Sequence, residues 1–311
     1  MIDGDYTEEY EYWNCLKTVR DKSLAAGIPY WDWLWSSSEF HQGRRAPSES
    51  DLRYTVYKPL AFGYTRIQYL TYDTIGPPDA PDGIIARSTG GPSYLYQLAQ
   101  DLNFEIANLG PVLTHIISTS VFHAGPDNPS PGTAEDFTSY GDMIGFNPNG
   151  SNWTIGFFED SRAEEYFMVV NNEHHQDATA AECTKSCVIT FDASITSLQQ
   201  IDRLTGDVIT VNPAGNYTLS LTLPGGTGEL FKYDTGWPFI NYHCGDYGYE
   251  TSDLSRNCLN DLPDMASIAE VWLTCTYADP AYCDNFMDCD QMPVLCKWLE
   301  KNWRLNNYKD K

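Results

Sequence analysis

Ile28-Pro29-Tyr30-Trp31-Asp32-Trp33-Leu34-Trp35 reads as a buried strand, a short apolar run bounded by turn signals. Upstream, Tyr10, Trp13, Leu16, Val19 and Leu24 recur roughly at the spacing of one helix face, and Gly27 closes that helix. Downstream comes a polar loop over 36–47. Ser48-Glu49-Ser50-Asp51 then resembles a capping box with Asp in place of the usual Glu or Gln. Leu52, Val56, Leu60 and Ala61 form the face of a second helix, marred by Pro59 and ended by Gly63. A second strand follows over 66–72. A third helix runs from about Pro92 through Leu95, Leu98, Leu102 and Ile106 to Gly110. This alternation of helix and strand predicts parallel α/β structure as far as about Ser118.

From 119 to 234 the pattern changes. Apolar and aromatic runs recur at 143–146, 153–158, 166–170, 188–191, 208–211 and 217–221. Turn signals separate them, among them Asn147-Pro148-Asn149-Gly150, Thr205-Gly206-Asp207 and Pro224-Gly225-Gly226. An antiparallel sandwich is predicted there. The remainder, 235–311, is a cysteine-rich tail with two short helical stretches. Six of the nine cysteines fall in it: Cys244, Cys258, Cys275, Cys283, Cys289 and Cys296. Such density predicts disulfides and an oxidising compartment. Zinc is the rival reading, opposed by the lack of CxxC pairs and by a single nearby histidine, His243.

The charge narrows the function. With 43 acidic and 19 basic side chains the formal net charge is −24, which opposes nucleic-acid binding and anionic membranes. A neutral or polar ligand, or a cation such as calcium, fits better. No window carries the ~20 apolar residues of a membrane span. The adjacent His174-His175, together with His123, raise the question of a metal, but adjacent histidines on an exposed loop are ordinarily surface residues.

Several stretches resemble a known family. They are 28–33, Arg45-Ala46-Pro47-Ser48-Glu49-Ser50-Asp51-Leu52-Arg53, Leu60-Ala61-Phe62-Gly63 and Tyr69-Leu70-Thr71-Tyr72. Together they are similar to the last βα units of clan-A (β/α)8 glycoside hydrolases, β-galactosidase-like proteins akin to family 42. Asn108-Leu109-Gly110-Pro111-Val112-Leu113 and the stretch 223–231 look like the same group. The tail, with Asp253-Leu254-Ser255-Arg256-Asn257-Cys258, Asp261 and Asp264, resembles a dockerin-like calcium module. The resemblance implies three domains: a partial (β/α)8 barrel over 1–118, an antiparallel β-sandwich over 119–234, and a small disulfide-rich, α-helical calcium-binding tail over 235–311.

Each part implies a site. Counted from Asp253, the calcium-loop positions 1, 3, 5, 7, 9 and 12 hold Asp253, Ser255, Asn257, the Leu259 carbonyl, Asp261 and Asp264. Cys258 stands where glycine normally turns such a loop. Glycoside hydrolysis needs two carboxyl groups flanking the scissile bond. The resemblance puts one Glu at the end of the fourth barrel strand and one at the end of the seventh. With 28–34 as strand seven, the fourth strand and its acid/base would lie upstream of Met1, so this chain is expected to be inactive alone. Strand seven carries no Glu; Asp32 and Glu39 are the nearest candidate nucleophiles, with a structural hydrogen-bond acceptor and a solvated loop residue as the plainer readings. Trp31, Trp33, Trp35 and Tyr72 are candidate sugar-stacking residues, since an aromatic face matches the CH face of a sugar ring. Strand alternation puts the three tryptophans on one side and Asp32 on the other. Arg45 and Glu49 read as partners that anchor loops.

Two functions follow as expectations. The first is the C-terminal portion of a secreted glycoside hydrolase acting on O-glycosidic bonds of a polysaccharide, with a β-galactoside as the implied substrate. The second is a non-catalytic carbohydrate-binding or scaffold protein whose tail docks onto a cohesin-like or cell-surface partner. Both place the chain outside the cell or on its surface, with a signal peptide upstream.

Overall fold

The computed structural model describes residues 6–37, 46–73 and 82–239, without the side chains of 6–10 and of Trp35. The chain divides into two compact units, Met1–Asn241 and Tyr242–Lys311, and the described residues all belong to the first. The tail positions Asp253, Ser255, Asn257, Leu259, Asp261 and Asp264, the six tail cysteines, Glu39 and Arg45 lie outside the described residues.

Three helices precede most of the strands. Helix α1 (Tyr6–Ala26) buries Trp13 and Leu16 and stops at Gly27, whose φ of 64° is the left-handed conformation that ends a helix at low cost. Helix α2 (Glu49–Ala61) starts at a complete capping box. The Asp51 amide donates to Ser48 Oγ at 3.2 Å, and the Ser48 amide donates to Asp51 Oδ2 at 2.8 Å. Its Pro59 has no N–H for the Thr55 carbonyl four residues back, and the Tyr12 hydroxyl donates to that carbonyl instead, weakly, across 3.5 Å. Helix α3 (Tyr94–Leu113) is capped by Ser93 and buries Leu95, Ala99, Leu102, Leu109 and Val112 along one face.

Strands β1 (Trp31–Trp35) and β2 (Arg66–Leu70) pair in parallel through the α2 crossover and form a sheet of two. The nine later strands are antiparallel. A six-stranded sheet runs in the order β3-β5-β6-β11-β8-β9, from β3 (Ile116–Ala124), β5 (Trp153–Asp160), β6 (Glu165–Asn171), β11 (Gly228–Tyr233), β8 (Leu198–Ile201) and β9 (Val208–Val211). A three-stranded sheet runs β10-β7-β4, from β10 (Thr218–Leu223), β7 (Lys185–Phe191) and β4 (Met143–Asn147). The large sheet is covered on both faces. One face meets α2 and α3 over a core containing Val56, Leu60, Leu102, Phe158, Met168 and Leu230. The other meets the small sheet over Trp153, Ile155, Phe157, Phe167, Ile189 and Phe231. This explains why β5 and β6 are buried at nearly every position.

The expected fold class is therefore corrected. The chain is a β-rich structure of antiparallel sheets with three helices among the described residues, and it is not a (β/α)8 barrel or part of one. The βαβ unit β1-α2-β2 exists, but no third parallel strand joins it among the described residues. The strand after α3 is β3, and it pairs antiparallel with β5. Helix α2 is buried on both sides because it lies on β5, β6 and β11, as well as beside α3 and β1. Glycines permit that approach. A Cβ on Gly156 would come within 1.9 Å of the Ala61 carbonyl oxygen, and one on Gly226 within 2.4 Å of the Ser50 oxygen and the Tyr54 nitrogen.

A buried ionic cluster fixes the helices to the large sheet. Glu105 of α3, 3% exposed, accepts two bonds from Arg53 of α2 at 3.0 and 3.1 Å, one from Arg203 at 3.0 Å and one from the Tyr57 hydroxyl at 2.5 Å. Arg203 also pairs with Glu229 of β11, to which Gln200 donates at 2.9 Å. Removing the acceptor leaves Arg53 to Glu49 and Arg203 to Glu229, and takes the shared carboxylate from both guanidinium groups and from the buried Tyr57 hydroxyl. E105A is therefore expected to lower unfolding free energy by about 1.5–3 kcal/mol in urea titration; a loss under about 0.5 kcal/mol would contradict the role given to this cluster.

Candidate functional site

Strand pairing places four side chains on one open face. In the parallel register Trp31 lies opposite Arg66, Asp32 opposite Ile67, Trp33 opposite Gln68 and Leu34 opposite Tyr69. Alternation sends Trp31, Trp33, Arg66 and Gln68 outward and Asp32, Leu34, Ile67 and Tyr69 inward. The burial agrees: Leu34 is 1% exposed and packs in the helix-side core with Ile67 and Tyr69, whereas Trp31 is 52% and Trp33 51% exposed. The Tyr69 hydroxyl donates to Asn103 Oδ1 of α3 at 3.0 Å, which holds the inner face of the ribbon against that helix. Two residues of strand separate the tryptophans by about 6.5 Å. The result is an aromatic strip of two exposed indoles beside one cationic and one amide side chain.

Asp32 belongs to the other face. Its carboxylate accepts the Trp33 amide at 2.9 Å and the Tyr12 hydroxyl at 3.2 Å. Burial raises its pKa, and those two donors pull it back only in part. It ties β1 to α1 and is turned away from the tryptophans, so the strand does not bring this candidate nucleophile to the aromatic strip. Tyr72 follows the end of β2 and is 60% exposed. Trp35 ends β1. Glu49 accepts from Arg53 at 3.1 Å and from the Ala180 amide at 3.2 Å, so it ties α2 to the loop before β7.

Two other clusters were not apparent from the sequence. Lys58 is fully buried, with its ammonium 4.5 Å from the Tyr54 ring centre, 5.4 Å from that of Tyr12 and 5.6 Å from that of Trp13. His174 stacks on Tyr54 at 4.0 Å, while His175 stays exposed. In the sandwich Glu159 and Glu165 face each other across β5 and β6. Burial, followed by the charges of Asp142 and Glu159, raises the Glu165 pKa. The neighbouring cavity, lined also by Tyr140 and Tyr233, has a volume of about 30 Å³. That admits a water molecule but no sugar ring. Among the described residues no group of three or more His, Cys, Asp or Glu side chains is arranged to hold a metal ion. Cys15, Cys183 and Cys187 are unbridged, and burial pushes the Cys187 thiol up to about 12.

Sequence reading named the tryptophans and missed Arg66 and Gln68. The signal was present: in Arg66-Ile67-Gln68-Tyr69 polar and apolar residues alternate, and a parallel partner strand carries the polar set to the face of Trp31 and Trp33. Compared with known protein families and with curated proteins, the chain matches none. No described helix is long and apolar enough to cross a membrane.

His123 of β3 is fully buried, with Nδ1 3.1 Å from the Asp136 carboxylate. Burial lowers its pKa below the ordinary 6.5; Asp136 opposes that shift and Lys58 adds to it. The folded state therefore holds His123 neutral at pH values where the unfolded chain takes up a proton. Stability falls as the pH drops through about 6.5. Thermal melts between pH 7 and pH 5 are expected to show this slope, and H123Q is expected to flatten it; an unchanged slope in H123Q would assign the acid sensitivity elsewhere.

Proposed function

We propose that this protein binds carbohydrate without cleaving it, through the outer face of the β1–β2 ribbon. The observation that carries the proposal is the pair Trp31 and Trp33, each about half exposed and side by side on one strand face. Large apolar side chains left adjacent in water usually mark a contact surface. Tryptophan suits a pyranose because its flat apolar face covers the CH face of the sugar. Gln68 and Arg66, level with the rings in the neighbouring strand, offer donors to hydroxyl groups at the edge of the same sugar. The inward face anchors the backbone that carries the strip, so little backbone ordering accompanies binding.

The hydrolase reading took its carboxylates from the ends of barrel strands. This fold has no barrel, and the one carboxylate of β1, Asp32, points the other way. The aromatic strip needs neither. For the tail, the oxygen spacing at 253–264 supports a calcium loop as an accompanying proposal from sequence alone. Calorimetric titration is expected to show saturable calcium binding that Asp253→Ala weakens; an absence of heat with the intact chain would remove that reading.

The strip is tested by electrophoresis of the full chain through gels containing single polysaccharides, neutral and acidic. At least one polymer is expected to retard the wild type, and the W31A/W33A double variant is expected to lose the retardation by ten-fold or more in apparent affinity with an unchanged thermal melt. D32N is expected to behave as wild type. No retardation by any polymer, or equal retardation of the double variant, overturns the proposal, as does turnover of aryl glycosides by the purified chain.

A further inference from the structure

The aromatic strip carries one charge, and no described residue answers it. Arg66 stands opposite Trp31 in the register, is exposed, and its guanidinium meets no described side chain or carbonyl. Other arginines of the same unit are engaged. Arg53 and Arg203 hold Glu105, Arg162 holds Asp160 at 3.0 Å, and Arg20 holds Asp21 at 2.8 Å and donates to Ser118. In a chain with 43 acidic residues against 19 basic ones, a carboxylate partner for Arg66 was available many times over. The strip has none: its other members are Trp31, Trp33 and Gln68, and the one acidic residue of β1, Asp32, faces inward beneath it. The ribbon thus presents a planar five-donor fork, level with a stacking surface, with no counter-ion among the described residues.

We infer that the strip selects an acidic sugar, a uronic acid residue in a polysaccharide, whose ring stacks on Trp31 or Trp33 while its carboxylate pairs with Arg66. This rests on the carbohydrate-binding reading above and narrows it. The pairing is chemically specific. The guanidinium fork matches the two oxygens of a carboxylate in one plane, and the uronate carboxylate projects from the rim of the pyranose ring, clear of the CH face that stacks. The overall charge of −24 repels a polyanion at long range. At physiological salt that repulsion is screened over about 8 Å, whereas a contact pair at the strip is screened far less. Selectivity is therefore set by Arg66 and not by the net charge.

The experiment compares two ligands that differ in the carboxylate alone: oligogalacturonate, and the same oligomer with its carboxyl groups reduced to alcohols. Each is titrated calorimetrically into the full-length chain at physiological ionic strength. The wild type is expected to bind the uronate form at least ten-fold more tightly. R66Q is expected to bind both forms alike, at or below the wild-type affinity for the reduced oligomer. R66K, which keeps the charge and loses the fork, is expected to fall between. W33A is expected to weaken both forms equally. Arg66 is exposed and pairs with no described residue, so the thermal melt of R66Q should match the wild type. Equal affinity of the wild type for the two oligomers, or a preference that survives in R66Q, overturns the inference while loss of binding in W33A continues to support the strip. Binding to neither oligomer also overturns it, and the neutral polymers in the gel assay then judge the strip by themselves.

Discussion

Glu105 is the point on which the arrangement of helices and sheet turns. It is an acid in a helix, buried between that helix, α2 and the large sheet, and it satisfies Arg53, Arg203 and Tyr57 at once. A buried carboxylate is costly unless its oxygens are fully used. Here the donors come from α2 and from the turn after β8, so the acid is satisfied only when helices and sheet are seated together. Arg203 hands the chain of contacts on to Glu229 of β11. The cluster therefore adds registry to what apolar packing alone would leave loose. Burial and the Glu105 charge together hold the Tyr57 phenol well above its ordinary pKa.

Close packing supplies the second constraint. Helix α2 rests on β5 and β11 at glycines, with Ala61 over Gly156 and Tyr57 over Gly228, so the layers approach more closely than larger side chains at those positions would allow. The helix is in turn wrapped by α3 and β1. Its burial on every side leaves the β1–β2 ribbon with one face to anchor and one to spare. The spare face carries Trp31 and Trp33, and their exposure follows from the position of the ribbon at the outside of the helical layer.

Much of the local structure was legible in the sequence. The runs at 143–146, 153–158, 166–170 and 188–191 lie within β4, β5, β6 and β7, that at 208–211 coincides with β9, and that at 217–221 overlaps β10, because β-branched and aromatic residues between strong turn signals leave few alternatives. Ser48 caps α2 as its four-residue motif predicts. Other elements were hidden for definite reasons. Leu198-Gln199-Gln200-Ile201 is too short and too polar to announce β8, and the supposed domain boundary at 118 cut through β3. The barrel was a misreading of range: β1-α2-β2 is a sound local pattern, yet nothing in it says which strand comes next to it. The candidate site shows the same limit. Trp31 and Trp33 are conspicuous in one strand, whereas Arg66 joins them only through pairing between Trp31 and a residue 35 positions further along the chain. The Glu105 cluster, drawn from positions 53, 57, 105 and 203, has no periodic signature.

The alternation of β1 and β2 also separates two kinds of selection. Positions 32, 34, 67 and 69 answer to the core, and positions 31, 33, 66 and 68 answer only to whatever lies outside. Exchanges at the outer four leave the inner face untouched, so variants there are free to diverge without first acquiring compensating changes in the interior. A ribbon of this kind is a changeable surface on a fixed body: its outer face can vary among descendants of one scaffold while their cores stay interchangeable.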